Sequence, residues 1–256
     1  MKLKRIAIFI LIISLLGMFA VYYDDIKNAT GLTGSTVENY YLKEQAVLLR
    51  VVDGDTIEAQ VEGYDETWKI RMLGINTPEK NMPFSDESKA FIKQFEGKNI
   101  ILERDKEDTD KYNRKLRYVF YDNRFLDKEI LENGFANSYY TAGLRYENEL
   151  LEAEKTARQN EIGIWTKSNE RCSGCILLKK LDAIEEYFIL KNDCTFLCSL
   201  DGWFVKDAGR NTFYLTSLLP GEEKTYNSNN REIWNNDGDR LFMFDKNGLL
   251  ALFYEY

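Results

Sequence analysis

The chain has 256 residues, of which 34 are Lys or Arg and 42 are Asp or Glu, for a net charge of −8. This length allows one large domain or two ordinary ones, and a hydrophobic content of 44% is typical of globular proteins. The acidic balance excludes a broad basic surface for duplex binding, so any contact with nucleic acid has to be local. The sequence contains no histidine, which excludes imidazole bases and leaves any chemistry to carboxylates, Arg, Lys and Tyr.

An uncharged apolar run at residues 6–23 follows a short basic segment and precedes Asp24 and Asp25. The run has about the length of a minimal membrane span, and the flanking charges orient it with residues 1–5 in the cytoplasm. We therefore predict a transmembrane anchor that leaves the rest of the chain outside the cytoplasm. The alternative is a cleaved secretion signal, which also exports the body of the protein.

Residues 24–45 mix Gly, Ser, Thr and Asn with charges and show no sustained period, which predicts a linker. The next part of the chain alternates strand-like and helix-like patterns, which predicts a mixed domain that starts as a small β-barrel. Strands are predicted at 46–57, 67–75, 99–102 and 116–121, and helices at 86–95, 127–134 and 146–160.

The pattern changes after Trp165. Short strand-like runs separated by Asn, Asp and Gly turns follow one another without a helix, which predicts a second, all-β sandwich domain. These runs lie at 176–178, 187–191, 203–206, 212–215, 240–244 and 249–254, and the domain boundary is predicted near residues 167–171.

Three short stretches of the first domain carry the chemistry. They are Val52-Asp53-Gly54-Asp55-Thr56, Arg71-Met72-Leu73-Gly74-Ile75-Asn76-Thr77-Pro78-Glu79 and Asp110-Lys111-Tyr112-Asn113-Arg114. The two carboxylates of the first stretch are spaced to converge on a divalent cation such as Ca²⁺ or Mg²⁺, and Asn76 with the Thr77 carbonyl could complete that site. Phosphodiester hydrolysis also needs a general base and positively charged side chains that hold the phosphate. Glu79 is the candidate base, and Arg71 and Arg114 are the candidate phosphate-binding side chains.

In order and spacing these stretches resemble the signature of the thermonuclease, or staphylococcal-nuclease-like, family. The resemblance extends over residues 46–167, including the helix at 146–160 and the Gly163-Ile164-Trp165 motif that follows it. It implies an α+β fold, an OB-type five-stranded β-barrel with three helices, and Ca²⁺-dependent cleavage of DNA and RNA.

Carried over residue by residue, the resemblance implies a role for each matching position. The implied metal ligands are Asp55, Asn76 and the Thr77 backbone oxygen, with Asp53 as support; Glu79 matches the general base, Arg71 and Arg114 the phosphate clamps, and Lys111 and Tyr112 nucleotide-binding positions.

One position departs from the family pattern, because Asn76 stands where the family has Asp. An asparagine keeps an oxygen ligand and loses a charge, which predicts weaker or altered cation binding. The acidic excess of this domain further predicts single-stranded substrates in preference to long duplexes.

Residues 172–256 resemble a lamin-tail domain, an immunoglobulin-like sandwich. The likeness lies in the stretches 186–192, 200–203, 219–222 and 234–239. This half of the chain is also acidic, so we expect a protein or cell-surface partner for it rather than DNA, or else a passive spacing role.

All four cysteines lie at the start of this second domain: Cys172, Cys175, Cys194 and Cys198. If the strands at 176–178 and 187–191 form a hairpin, the four thiols meet at one end of it. Two disulfides or a structural Zn²⁺ site both fit such a cluster, and an exported location favours the disulfides.

The sequence therefore predicts an exported, membrane-anchored, metal-dependent nuclease acting on DNA or RNA. The alternatives are a catalytically inactive binding module that keeps the nuclease barrel, which Asn76 favours, and a surface structural or interaction protein.

Overall fold

A computed structural model describes residues 42–139, 142–228 and 231–256 of the chain. The predicted cytoplasmic end 1–5, the predicted anchor 6–23 and most of the predicted linker 24–45 lie outside these residues. Within the ranges just given, no helix has the length and apolar character needed to cross a membrane.

The first domain is built on a closed barrel. Its strands are β1 (Lys43–Val51), β2 (Thr56–Val61), β3 (Thr67–Met72), β4 (Ile75–Asn76), β5 (Asn99–Glu103), β6 (Lys115–Tyr121), β7 (Arg124–Phe125) and β8 (Asn137–Ser138). The main sheet has the order β3-β2-β1-β5-β6-β7, and a parallel pairing of β3 with β6 closes it. In the part of the chain described, five long strands thus form the predicted OB-type barrel. Leu48, Ile57, Ile70 and Leu102 are fully buried inside it because alternate residues of each strand face inward.

The strand boundaries differ from the predicted ones in three places. The predicted strand 46–57 is two strands, β1 and β2, joined by the Asp53-Gly54-Asp55 turn. The predicted strand 67–75 is interrupted at Gly74, whose φ of 72° turns the chain into β4. Strand β1 begins at Lys43, so the last three residues of the predicted linker pair with β5.

Three α-helices cover the barrel in the described residues: α1 (Ser85–Lys93), α2 (Leu126–Glu132) and α3 (Glu147–Gln159). Each boundary lies one or two residues from its predicted position. Helical spacing places Leu150, Ala153 and Ala157 of α3 on one buried face. This agreement follows from the strong 3.6-residue period of the apolar positions.

The Gly163-Ile164-Trp165 motif forms a short 3₁₀ turn against the end of α2. Gly163 and Gly134 lie backbone to backbone, and a Cβ added to Gly163 would lie 2.0 Å from the Gly134 carbonyl oxygen. That oxygen accepts a hydrogen bond from the Ile164 N–H at 2.8 Å. The glycine is therefore required by the close approach of two backbones, which also positions Trp165 in the core.

The second domain is a sandwich of two antiparallel sheets. Its strands are β9 (Ile176–Asp182), β10 (Tyr187–Asn192), β11 (Phe204–Lys206), β12 (Thr212–Tyr214), β13 (Glu223–Asn227), β14 (Arg240–Phe244) and β15 (Leu250–Glu255). One sheet has the order β13-β10-β9 and the other the order β12-β11-β14-β15. A single apolar cluster joins them, since it contains Phe188 and Leu190 of one sheet with Val205, Leu241 and Met243 of the other. The predicted all-β character is confirmed.

Residues 43–256 form one compact unit, so the two domains are in contact. Ile164 and Trp165 of the first domain share an apolar cluster with Phe204, Phe242 and Phe244 of the second. The sheet that carries β11 and β14 therefore lies against the barrel domain, and its loops reach the residues described next.

Candidate active site

The Asp53-Gly54-Asp55 turn places two carboxylates side by side at the end of β1. The Asp55 N–H donates to Asp53 Oδ1 at 3.1 Å, which closes the turn. A Cβ added to Gly54 would lie 2.7 Å from Ser88 Cβ and 2.8 Å from Thr77 Cγ2. Only glycine therefore lets the second motif, at Thr77, pack directly onto the first.

Asp55 is held in place on both of its oxygens. Its Oδ2 accepts from the Thr77 N–H at 3.0 Å and the Thr77 hydroxyl at 3.1 Å, and its Oδ1 accepts from the Thr56 hydroxyl at 3.0 Å. Burial raises the pKa of Asp55, but the Arg71 guanidinium and the Thr77 N–H outweigh burial and hold that pKa below its usual value. Burial, followed by the nearby charge of Asp55, raises the pKa of Asp53. Asp55 is therefore the more readily ionised of the two carboxyls.

The side chain of Arg71 is fixed by backbone oxygens. It lies on β3 directly opposite Thr56 of β2. Its Nη1 donates to the Met72 carbonyl at 2.6 Å, its Nη2 donates to the Ile75 carbonyl at 2.7 Å, and Nη2 also lies 3.3 Å from Asp55 Oδ2. Only 7% of this residue is exposed, so its guanidinium keeps one orientation without a substrate present.

Arg114 contacts the same group of side chains as Arg71. The parallel pairing of β3 with β6 sets Arg71 opposite Leu116, and Arg114 lies just before β6. Its Nε donates to Asp110 Oδ2 at 2.7 Å, and its Nη1 donates to the Thr56 hydroxyl at 3.3 Å. The two arginines are therefore connected through one network, from Arg71 through Asp55 and Thr56 to Arg114.

Lys111 and Tyr112 form the tip of the turn that carries Arg114. Tyr112 is 63% exposed, and both the Lys111 ammonium and the Arg114 guanidinium lie over its ring, at 5.2 and 5.6 Å from the centroid. An exposed ring with cations beside it provides a surface for stacking a nucleobase next to a phosphate.

A cleft of about 1290 Å³ brings together most of the predicted site residues. Its wall includes Arg71, Asn76, Lys111, Tyr112 and Arg114. Asp53, Asp55 and Thr77 are not part of that wall, and Glu79 lines a small adjoining hollow. Arg210 of the second domain lines both the cleft and the hollow.

The loop between β11 and β12, residues 207–211, contacts the site in ways that the sequence did not indicate. Arg210 Nε lies 2.9 Å from Glu79 Oε1. Asn76, which is 2% exposed, donates from Nδ2 to the carbonyl oxygens of Ala208 at 3.2 Å and Gly209 at 3.1 Å. Its Oδ1 lies 3.4 Å from Arg71 Nη2.

Lys206, at the end of β11, also lies near the site. Burial lowers the pKa of its ammonium, while the charges of Asp207, Glu79 and Asp55 act in the opposite direction. No local motif marks Lys206, which ends β11, or Arg210, which lies in the 207–211 loop. That loop contacts Asn76 across about 130 positions of the sequence, so the spacing of the motifs could not indicate it.

The four cysteines form two disulfides, Cys172–Cys198 and Cys175–Cys194, with Cα atoms 5.8 and 5.3 Å apart. This pairing favours disulfides over the Zn²⁺ alternative. The bridges link the chain before β9 to the segment after β10, at the entrance of the sandwich.

Over the residues that the structure describes, the closed barrel of five long strands with three helices fits the OB-type fold of staphylococcal nuclease. Residues 69–167 match the family described as "Staphylococcal nuclease homologue". The chain is 31% identical to the thermonuclease of Staphylococcus intermedius over 149 residues, which cover 55% of this chain and 82% of that protein. It is 32% identical to protein MJ1439 of Methanocaldococcus jannaschii over 179 residues, 58% of this chain and 83% of the relative. It is also 32% identical to Endonuclease YncB of Bacillus subtilis over 141 residues, which cover 50% of this chain and 66% of that protein.

With this identity extending over most of the thermonuclease, the chain belongs to the staphylococcal nuclease family. The lamin-tail resemblance of residues 172–256 lies beyond the family match, which ends at residue 167.

Proposed function

We propose that this protein is a metal-dependent nuclease that hydrolyses phosphodiester bonds of DNA or RNA and acts best on single strands. The observation that carries the proposal is the network that joins Arg71, Asp55, Thr56 and Arg114. Two guanidinium groups held in fixed positions beside a carboxylate pair suit the binding of a phosphate whose negative charge grows in the transition state. The names of the thermonuclease and endonuclease relatives support the same reaction class.

Within this proposal, Arg71 and Arg114 bind the non-bridging oxygens of the scissile phosphate. Glu79 accepts the proton of the attacking water, because its half-exposed carboxylate lies at the edge of the site where water can reach it. Tyr112 stacks on a base beside the phosphate, and Lys111 adds positive charge at the same tip. An acidic protein gains little binding affinity from the many phosphates of a long duplex, so substrate binding relies on these few local contacts.

The donor set suits a hard divalent cation, and we propose Ca²⁺. Burial and the charge of Asp55 raise the pKa of Asp53, a bound cation would offset that charge, and oxygen donors of this type are those that Ca²⁺ prefers. Asp55 and the Thr77 carbonyl would hold the ion, with support from Asp53 and with Asn76 contributing through Oδ1. When bound, the ion would neutralise charge that develops on the phosphate.

The test is cleavage of a labelled single-stranded DNA and the matching RNA by the full-length protein in detergent, with Ca²⁺ and with a chelator. We expect Ca²⁺-dependent cleavage, reduced about 100-fold or more in Arg71→Ala and in Glu79→Gln. Arg50→Ala is the matched control, since Arg50 forms an exposed ion pair with Glu58 on the barrel. Absence of cleavage with every divalent ion, from protein shown to be folded by circular dichroism, would refute the proposal.

A second candidate is a nucleic-acid-binding module without catalysis. It is favoured by the ion pair of Glu79 with Arg210 and by the two carbonyl partners of Asn76, because both contacts occupy groups that catalysis would use. Such a module would bind single-stranded DNA equally well before and after Glu79→Gln and cleave it in neither case.

We further propose that the protein is exported and remains anchored by residues 6–23. The two disulfides support an oxidising compartment. Protease added to intact expressing cells should digest the catalytic domain if this topology is correct and spare it if the domain is cytoplasmic. The lamin-tail-like assignment of residues 172–256, with its protein or cell-surface partner, also stays a proposal.

A further inference from the structure

The 207–211 loop of the second domain is held against the candidate site by buried amides of the first. Asn76 of β4 and Asn137 of β8, residues paired with each other in a two-stranded sheet, both donate from Nδ2 to the Ala208 carbonyl, at 3.2 and 3.0 Å. The Asn76 Nδ2 also donates to the Gly209 carbonyl. The first domain therefore fixes the backbone of the loop immediately before Arg210.

The loop is also braced from within its own domain. Asp207 accepts from the Asn211 N–H at 2.9 Å and from Asn211 Nδ2 at 2.7 Å, which closes the loop on itself. Arg210 thus projects from a short turn whose two ends are hydrogen-bonded and whose carbonyls are anchored. Its guanidinium starts from a fixed backbone position, which lowers the entropy lost when it binds a ligand.

The ion pair of Arg210 with Glu79 contributes little to the folding stability of the protein. Both side chains are about half exposed, at 53% and 51%, and ion pairs between solvated groups contribute little to folding. An arginine carries several N–H donors and pairs well with phosphate oxygens. Arg210 lines the same cleft as Arg71, Arg114 and Lys111, so a strand in that cleft would pass within reach of it.

We propose that Arg210 is a further substrate-binding residue of this site, one that exchanges Glu79 for a phosphate of the incoming single strand. Without substrate its guanidinium neutralises the Glu79 carboxylate. A nucleic-acid backbone offers a competing anion, and the exchange leaves Glu79 without its ion-pair partner when the base is needed. Asn76 and Asn137 are positioning residues that hold the loop. The second domain is then part of the active site.

This inference rests on the proposed function, and the experiment separates the two. Binding of a fluorescein-labelled single-stranded DNA to the full-length protein is measured by anisotropy in the presence of chelator, at several salt concentrations. The variants are Arg210→Gln and, as matched control, Arg50→Gln, another solvated arginine paired with a glutamate. Cleavage kinetics with Ca²⁺ are measured in parallel on the same proteins.

We expect Arg210→Gln to weaken binding about 5- to 10-fold and to reduce the slope of log K against log salt by about 0.7, the value for one phosphate contact on a single strand. KM should rise by a similar factor. Arg50→Gln should match the unmodified protein in each measurement. Asn137→Leu, which removes one donor to the Ala208 carbonyl, should weaken binding in the same direction.

Unchanged affinity and unchanged salt slope in Arg210→Gln would overturn the inference. So would unchanged affinity with a raised kcat, since that result would make the loop an inhibitory plug. If the unmodified protein does not cleave with any divalent ion while the Arg210→Gln binding defect is present, the proposed nuclease function fails and Arg210 stands as a binding residue.

Discussion

Arg240 of β14 donates from Nη1 to both carboxylate oxygens of Glu154 on α3, at 2.9 Å each. The glutamate side chain is 4% exposed, and its two oxygens also accept from the Ser138 N–H and hydroxyl, at 2.9 and 2.7 Å. Arg240 is 14% exposed and also pairs through Nε with Glu255 at 2.8 Å, whereas Arg240 and Ser138 supply the partners of the buried Glu154 carboxylate. The pair joins the two domains beside β8.

We predict that Glu154→Ala destabilises the protein by about 1–3 kcal/mol, because Arg240 would keep only its solvated partner Glu255 and the buried Ser138 N–H would lose its acceptor. Glu152→Ala is the control on the same helix, since Glu152 pairs with Lys155 in solvent, and we expect a change of under about 1 kcal/mol. Urea unfolding monitored by tryptophan fluorescence measures both. An equal effect of the two substitutions would show that the interdomain pair adds nothing.

Gly54→Ala should disturb the site without removing any functional group. The added Cβ would meet Thr77 and Ser88 at under 3 Å, so the Asp55 contacts with Thr77 have to shift. Displacements of this size lower turnover by about 10- to 100-fold. Gly174→Ala is the control, because a Cβ there has no heavy atom within 4 Å. Equal cleavage rates in the two variants would contradict the packing argument.

Asn76→Asp restores the residue type implied by the family resemblance, and we predict that it destabilises this protein by about 1–3 kcal/mol in chelator. The substitution replaces a buried donor with a carboxylate that faces the Ala208 and Gly209 carbonyl oxygens. Thermal unfolding in chelator and in Ca²⁺ measures the effect, and added Ca²⁺ should restore part of the loss. A variant more stable than the unmodified protein in chelator would argue against the docking role of Asn76.

Asp127 is a fully buried carboxyl whose Oδ2 accepts from the Val119 N–H at 2.8 Å. Burial raises its pKa well above the usual value. Below pH 4 both the folded and unfolded chains hold the proton; as pH rises the unfolded chain releases it first, so stability falls with pH until the folded-state pKa is passed.

Asp127→Asn should therefore be more stable than the unmodified protein at pH 7, by about 1–2 kcal/mol, and the gain should disappear near pH 4. Asp86→Asn, at the exposed first turn of α1, provides the control and should lack this pH-dependent gain. Denaturant titrations of the unmodified protein and both variants at pH 7 and at pH 4 measure these differences in stability. A pH-independent difference would mean that Asp127 is ionised in the folded protein.

The two disulfides should be required for the second domain. Replacement of Cys172 and Cys198 by Ser should cost about 2–5 kcal/mol, because the bridge closes a loop in the unfolded chain. Thiol titration of the unmodified, denatured protein should find no reactive thiol, and elemental analysis should find no stoichiometric zinc. Four reactive thiols with one zinc per chain would reverse the assignment.

Local patterns determined much of this protein. The apolar periods predicted α1, α2 and α3 within two residues, because each helix buries one continuous face. The strand β13 was not predicted, since its sequence Glu-Lys-Thr-Tyr-Asn is polar and pairs only at the sheet edge, on β10. Five of the nine residues predicted for the nuclease site line the cleft, and the parallel pairing of β3 with β6 places Arg71 on a strand beside β6, which Arg114 directly precedes.

Only the tertiary structure decided what Asn76 and Glu79 contact. As a sequence feature, Asn76 is a weakened metal ligand, whereas in the fold its amide holds the second domain in place. Glu79 is a general base by position, and its partner is Arg210, an arginine in a loop with no motif around it. These contacts join residues about 130 positions apart in the sequence. They depend on how the two domains pack against each other, and the sequence pattern within either domain does not specify that packing.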